Sequence, residues 1–214
     1  MKYVNSGSPQ IRDNTSTKRI MIDVCIALLP ATIVGIVLLG LMSPQYGIQS
    51  AILMVISVLS AVASEFVFKL VTKVPFKQIL NEFDFTSVVT GMLVGMNLYQ
   101  NSKWYAAVLC SVFAIVVVKM LFGGTGKNIV NPAIAGRIFV FISFGIVAAG
   151  GFVEPIVGAS AQGSFTSTVI AGSTPLGSIL KNGLEATSAT NMDMFLGLIP
   201  GTIGETSALA LIIG

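Results

Sequence analysis

The sequence predicts an all-α integral membrane protein, a multi-span helical bundle with half-helix or re-entrant segments. Three observations predict it. Apolar residues make up 54% of the 214-residue chain and charged residues only 10%, with a mean hydropathy of +0.88; ordinary soluble domains carry roughly 25% charged residues. Apolar runs of membrane length recur along the chain, together with one that is too short to cross. A 44-residue polar stretch, residues 150–193, separates membrane-length runs on either side and holds eleven Ser/Thr residues and one lysine, Lys181.

Taken in order, residues 1–17 are polar, lack the apolar core of a signal peptide and belong outside the bilayer. Residues 18–42 form the first span behind Ser16 or Thr17 as N-cap, and residues 46–72 form the second. Residues 85–98 are apolar but only 14 long, against the roughly 20 a straight spanning helix needs. With Gly91 and Gly95 inside, this run reads as a half-helix, tolerated where it lines a cavity or packs against protein. Residues 103–122 make a further span, 123–131 a Gly-rich break, and 132–149 another apolar run. After the polar loop of residues 150–193, residues 194–214 begin another span containing Pro200, Gly201 and Gly204. The chain stops at Ile212-Ile213-Gly214 inside an apolar run, so further spans are expected beyond it. The whole reads as one membrane domain.

The positive charges orient it. With the N-terminus cytoplasmic and residues 85–98 crossing, one side collects Lys2, Arg12, Lys18, Arg19, Lys69, Lys73, Lys77, Lys119, Lys127 and Arg137. The other receives only Lys103 and Lys181. Cytoplasmic loops carry the excess of Lys and Arg, so the polar loop belongs outside the cytoplasm.

Composition also excludes chemistry. The chain has no histidine and two cysteines, Cys25 and Cys110, both in apolar runs. Histidine-ligated haem, a four-cysteine iron–sulfur cluster and a Cys/His zinc site cannot be built within it. The cysteines read as small apolar packing groups. The net charge of +3 gives no reason to expect nucleic acid. Gly123-Gly124-Thr125-Gly126-Lys127-Asn128 is not a Walker A loop, because Leu121 stands where glycine is needed and Asn128 where Ser/Thr is needed. Nor is it a dinucleotide fingerprint, with Ile129 at the third glycine position. A glycine-rich linker between helices is the expectation.

Four carboxylates sit in or beside apolar runs. Asp23 has Arg19 four residues earlier and Glu65 has Lys69 four residues later, the spacing of helix-surface pairs. Asp84 precedes the half-helix as a candidate cap. Glu205 lies twelve residues beyond Asp193, roughly 18 Å along a continuous helix, near mid-bilayer. It reads either as an ion-path group or as a hydrogen-bonded packing glutamate. Asp23 and Glu205 are the two ion-path candidates, and no metal site is expected.

Within the polar loop, Thr174 precedes Pro175. A residue before proline is extended, and proline suits the first helical position. Thr174 is thus an N-cap for residues 176–182, with Gly183 as the αL stop. It either only caps that helix or displays a hydroxyl where an attached phosphate would meet free N–H groups. These local rules do not choose.

The motifs resemble a known family. Ser8-Pro9-Gln10-Ile11-Arg12, the stretch from Ile20 to Ala31, Phe85-Thr86-Ser87-Val88-Val89-Thr90-Gly91, the break from Gly123 to Ala133 with Gly136-Arg137, and Ile203-Gly204-Glu205-Thr206-Ser207-Ala208-Leu209-Ala210 occur in the family's order. The chain is similar over nearly its whole length to the D subunit of Rnf electron-transport complexes, related to the B subunit of the sodium-pumping NADH:quinone oxidoreductase. That resemblance implies a urea-transporter-like fold and longer members. It implies FMN carried by a phosphoester on a threonine of the external loop, and leaves room for a second, non-covalent flavin. The family pattern has Ser/Thr three residues before the threonine and Ala immediately before it, often with Pro-Leu after. Thr174 keeps Pro175-Leu176 and the spacing to Ile199-Pro200-Gly201. It departs at Ala171 and Ser173, and has Thr168 where Asp is usual. Thr190 is the alternative, with Thr187 and Ala189 in place but no Pro-Leu. The implied role is that of a membrane subunit in a ferredoxin:NAD oxidoreductase that couples electron flow to Na⁺ or H⁺ transport. It would not be catalytic alone. Its implied partners are the other complex subunits, a flavin transferase and the lipid bilayer, and its implied place is the inner membrane. A flavin-free channel or transporter for a small solute and a passive scaffold are the competing classes.

Overall fold

The structure is a computed structural model that describes residues 15–81, 83–149, 191–199, 201–204 and 207–214. Thr174, Thr190, Pro200 and Glu205 lie outside the described residues. Every regular element among those described is helical.

Helix α1 is Thr17–Met42, opened by Ser16, whose Oγ accepts from Arg19 N at 3.3 Å. Helix α2 is Pro44–Val71. It starts two residues earlier than expected because Pro44 takes the first helical position, where its missing N–H costs nothing. At 26 and 28 residues, both helices are long and apolar enough to cross a membrane. Only Ser43 separates them, and they pack closely where Gly40 faces Gly47: a Cβ added to Gly47 would stand 2.7 Å from Gly40 Cα.

Helix α2 carries its pattern inside out. Its buried stripe includes Gly47, Ser50, Met54, Ser57, Ala61 and Ser64, while Ile48, Ile52, Val55, Leu59 and Val67 are exposed. Burial of small and polar groups with large aliphatics outward is the pattern of a helix whose surroundings are lipid.

A short helix not foreseen from sequence, α3 (Phe76–Asn81), follows. The expected half-helix is present as α4, Thr86–Asn97. Its glycines explain its position: a Cβ on Gly91 would lie 2.7 Å from Val58 Cα, and one on Gly95 would lie 2.6 Å from Met54 Sδ. Close approach of backbones supplies van der Waals contact where the hydrophobic effect between helices is absent. The pairs 91–58 and 95–54 also fix α4 as antiparallel to α2.

Helix α5 is Trp104–Val112 and continues as a π-helical stretch, Phe113–Met120. It runs parallel to α2, because Ser111 Oγ donates to Ser57 O at 3.0 Å and Lys119 reaches Glu65 eight residues further along both helices. The linker that follows turns on Gly123, Gly124 and Gly126, all at positive φ, which glycine adopts without penalty. Helix α6 is Pro132–Ala149, packed on α5 through stacked Phe113 and Phe139 rings 4.1 Å apart. Both cysteines are free, and Cys110 lies buried under Gly136.

The run expected as one span over residues 194–214 is not a continuous helix. It forms α7 (Asn191–Leu196) and α8 (Ala208–Ile213). The first ends at Gly197, at φ 95°, and the backbone of residues 203 and 204 pairs with α4 instead of with its own helix. The depth expected for Glu205 assumed a continuous helical rise from Asp193; Glu205 itself lies outside the described residues.

Candidate functional site: a charged cluster at the start of the half-helix

Three elements meet at the N-terminal end of α4. Glu65 lies six residues before the end of α2, about 9 Å into the helix. Lys119 comes from the last turn of the π-helical stretch, and both side chains are almost fully buried. Lys119 Nζ lies 2.8 Å from Glu65 Oε2, and Lys69 Nζ lies 2.7 Å from Glu65 Oε1. The expected pair between Glu65 and Lys69 is thus formed, but not as a surface pair: Glu65 is 2% exposed and holds two ammonium groups.

Lys119 also donates to Thr86 Oγ1, the first residue of α4. Thr86 Oγ1 in turn donates to Asp84 Oδ1 at 2.6 Å, and Asp84 Oδ1 accepts from Thr86 N at 3.1 Å. Phe85 holds the N-cap position, and Asp84, one residue before it, takes up the first helical N–H, so the expected cap acts from just outside the helix. The other oxygen of Asp84 accepts from Thr125 Oγ1 at 2.7 Å, from the glycine-rich linker. Phe85, between Asp84 and Thr86, sits at φ 63°. Such a φ is strained for an aromatic residue, and here it turns the chain so that Asp84 can reach back to Thr86.

The outcome is a continuous hydrogen-bonded line: Glu65, Lys119, Thr86, Asp84, Thr125. It begins at a buried carboxylate and ends at an exposed hydroxyl. Two carboxylates meet two ammonium groups, so the cluster is neutral when all four are ionised. Burial pushes the Asp84 carboxyl up, but hydrogen bonds from Thr86 and Thr125 and the charge of Lys119 outweigh it and hold it below its ordinary value. Chemically, Lys119 occupies the place where a small cation would meet Glu65. Among the described residues, no group of three or more His, Cys, Asp or Glu gathers to hold a metal ion.

Lys119 is the residue sequence reasoning missed, having been counted only among the positive charges of the cytoplasmic side. The signal was present: a lysine after Val116-Val117-Val118 is costly in an apolar setting unless a carboxylate meets it. Arg137 was counted on the same side. It instead donates to Asn97 O at 2.6 Å and Asn97 Oδ1 at 2.9 Å, at the other end of α4. Asp23 is exposed on α1, and among the described residues no ion pair joins it to Arg19.

Known proteins are similar to this sequence. The sequence profile of the NQR2, RnfD, RnfE family matches residues 4–214. This chain belongs to that family. Among its relatives, the D subunit of the Na⁺-translocating ferredoxin:NAD⁺ oxidoreductase complex of Acetobacterium woodii is 39% identical over 212 residues, covering 98% of this chain and 59% of the relative. The B subunit of the Na⁺-translocating NADH-quinone reductase of Neisseria meningitidis is 32% identical, covering 99% of this chain and 58% of the relative. The D subunit of the proton-translocating ferredoxin:NAD⁺ oxidoreductase complex of Clostridium ljungdahlii is 29% identical, covering 99% and 60%. The chain thus spans about three fifths of the length of these family members. By their names, they are subunits of redox-driven ion-translocating oxidoreductases.

Proposed function

We propose that this chain is the ion-coupling membrane subunit of a ferredoxin:NAD oxidoreductase-type complex, moving Na⁺ or H⁺ as electrons flow. The observation that carries the reading is the buried Glu65–Lys119 pair at the mouth of the half-helix, extended through Thr86 and Asp84 to exposed Thr125. A buried charge pair is expensive to assemble, and an ionisable group within an apolar bundle is by default a functional group. An entering cation would compete with Lys119 for Glu65, and displacement of the ammonium toward Thr86 and Asp84 would open the way. Asp23 and Glu205 are proposed as further carboxylates of the ion path. The helical architecture suits a urea-transporter-like fold in the inner membrane with the N-terminus in the cytoplasm.

The reading includes FMN in phosphoester linkage to Thr174, with Thr190 as the alternative, attached by a flavin transferase. Support comes from Pro175-Leu176 and the spacing to Ile199-Pro200-Gly201. FMN, once bound, supplies one- and two-electron transfer. This chain's contribution is a hydroxyl at a helix start, where backbone N–H groups can hold the phosphate. A second, non-covalent flavin would need other residues.

Two measurements test the reading. In the full complex in liposomes, Glu65→Gln should retain flavin and assembly while fewer ions move per electron; an unchanged ratio would remove Glu65 from the path. On a denaturing gel, flavin fluorescence should vanish with Thr174→Ala and persist with Thr190→Ala. The reverse pattern assigns Thr190, and a dark parent chain made alongside the transferase favours the flavin-free channel, which α4 alone would serve as well.

A further inference from the structure

Helix α2 and the wall formed by α5 with its π-helical continuation enclose a groove that the charged cluster does not use. It measures about 500 Å³, and its lining includes Ser60, Ser64, Val67 and Val71 of α2 with Val112 and Val116 opposite. Both hydroxyls are engaged: Ser60 Oγ donates to Ser57 O at 3.1 Å and Ser64 Oγ to Ser60 O at 2.6 Å. Neither is left to donate to a ligand, so the groove offers little but hydrocarbon. Val67 and Val71 nevertheless stay 58% and 74% exposed.

The charges at the groove's end are what select an occupant. Its two walls run parallel and so reach the same end. From Ser60 to Val71 the α2 wall rises about 16 Å, close to half of the roughly 30 Å hydrocarbon core. Two residues past Val71 stands Lys73, and at the foot of the other wall stands Lys127, both exposed. Lys127 folds back on Gly123, its Cδ 2.9 Å from where a Cβ on that glycine would stand. Neither lysine forms an ion pair among the described residues. Beyond Lys73, α3 leaves Phe76 and Leu80 exposed one turn apart, beside exposed Lys77. That is the make-up of an element lying at a membrane surface.

Lys73 carries a further sign. It closes α2 at φ 62°, with Lys73 N donating to Leu70 O at 2.9 Å and Val74 N to Lys69 O at 3.0 Å. Glycine is the usual residue at such a helix stop, and a side chain there is uncommon. The chain keeps a cation where glycine would close the helix more easily.

We propose that this groove binds one anionic phospholipid, its acyl chain along Val67, Val71, Val112 and Val116 and its phosphate met by Lys73 and Lys127. Basic pockets between membrane helices on the cytoplasmic side take anionic headgroups in this way, and that is the side the excess of lysine and arginine assigns to this end. The proposal rests on the membrane-subunit reading above and not on ion coupling. Ser64 precedes Glu65, and Val116 lies three residues before Lys119, so a seated chain packs across the two helices that carry the buried pair.

The test uses the assembled complex containing the full-length subunit, in phosphatidylcholine vesicles with a trace of photoactivatable lipid. Two probes share one diazirine-bearing acyl chain and differ only in headgroup, phosphatidylglycerol or phosphatidylcholine. Peptide mass spectrometry reads the label on residues 60–71 and 108–116. Phosphatidylglycerol should label them about twentyfold more strongly, the scale of two lysines at about fivefold each. Lys73→Gly and Lys127→Gln should each cut that labelling about fivefold. Lys73→Gly also relieves the backbone, so its thermal unfolding should stay level or rise. A stabilised Lys73→Gly variant with parental labelling would make the lysine merely structural and overturn the headgroup contact. Ala63→Trp, in the groove lining, should block both probes while the complex still assembles. Equal labelling by the two headgroups would overturn the anionic site. No labelling by either probe in the parent would overturn any lipid site, and cross-links from Val67 to another subunit would then give the groove to a partner helix. Labelling as expected in a complex that moves no ions would sink the pump reading and leave the lipid site standing.

Discussion

The two ends of α4 solve the same problem in opposite ways. At the N-terminal end each charged group has a partner: Asp84 takes three hydrogen bonds, Glu65 takes two ammonium groups, and Lys119 joins the two. At the C-terminal end a single cation does the holding: Arg137 donates to Asn97 O, Asn97 Oδ1 and Tyr99 Oη. The first end is held by paired opposite charges, the second by one guanidinium on neutral oxygens. A half-helix within an apolar bundle is thus latched at one end by charge pairing and gripped at the other by a single fork of hydrogen bonds.

The largest effect is expected from unbalancing the latch. Lys119→Met leaves Glu65 buried with Lys69 alone, and removal of one partner of a buried pair costs about 3–5 kcal/mol. Replacing both, as Glu65→Met with Lys119→Met, should recover most of that, because apolar substitutes of similar volume are often neutral in such positions. Thermal unfolding of the purified complex measures both. A double variant as unstable as the single would show that the pair is held by something beyond mutual compensation.

A smaller effect is expected at the C-terminal end. Arg137→Lys keeps the charge but loses the fork that grips both Asn97 O and Oδ1, since an ammonium does not reproduce that bidentate geometry. A loss of about 1.5–3 kcal/mol is expected, the range for hydrogen bonds to charged groups. Equal melting temperatures for parent and variant would show that the guanidinium is not what secures this end.

The smallest effect is a pH dependence that belongs to the latch alone. The Asp84 carboxyl is held below its ordinary value. A depressed carboxylate contributes stability that is present above its unfolded pKa, about 3.9, and is lost as pH falls through the folded value. The stability difference between the parent and Asp84→Asn should therefore be constant near neutrality and shrink below about pH 4. A difference that stays flat into acid would separate Asp84 from the cluster.

Much of this protein was legible from sequence because membrane solvation is a local rule. Segment length and apolar content place α1, α2 and α6 nearly to the residue, and α4 by its shortness. Ser16, Asp84 and the glycine break followed from capping and backbone preferences that act over three or four residues. Pairing of Glu65 with Lys69 was likewise visible, since one helical turn joins them. Hidden from sequence was what the antiparallel and parallel packing of α2, α4 and α5 decides. Glu65 and Lys119 are 54 positions apart, and only that packing, with Lys119 inside the π-helical stretch, brings the lysine onto the carboxylate. The same holds for Arg137 and Asn97, 40 positions apart, whose meeting depends on how α6 packs against the end of α4. Local chemistry chose the elements, and the distances between them, set by packing, chose the sites.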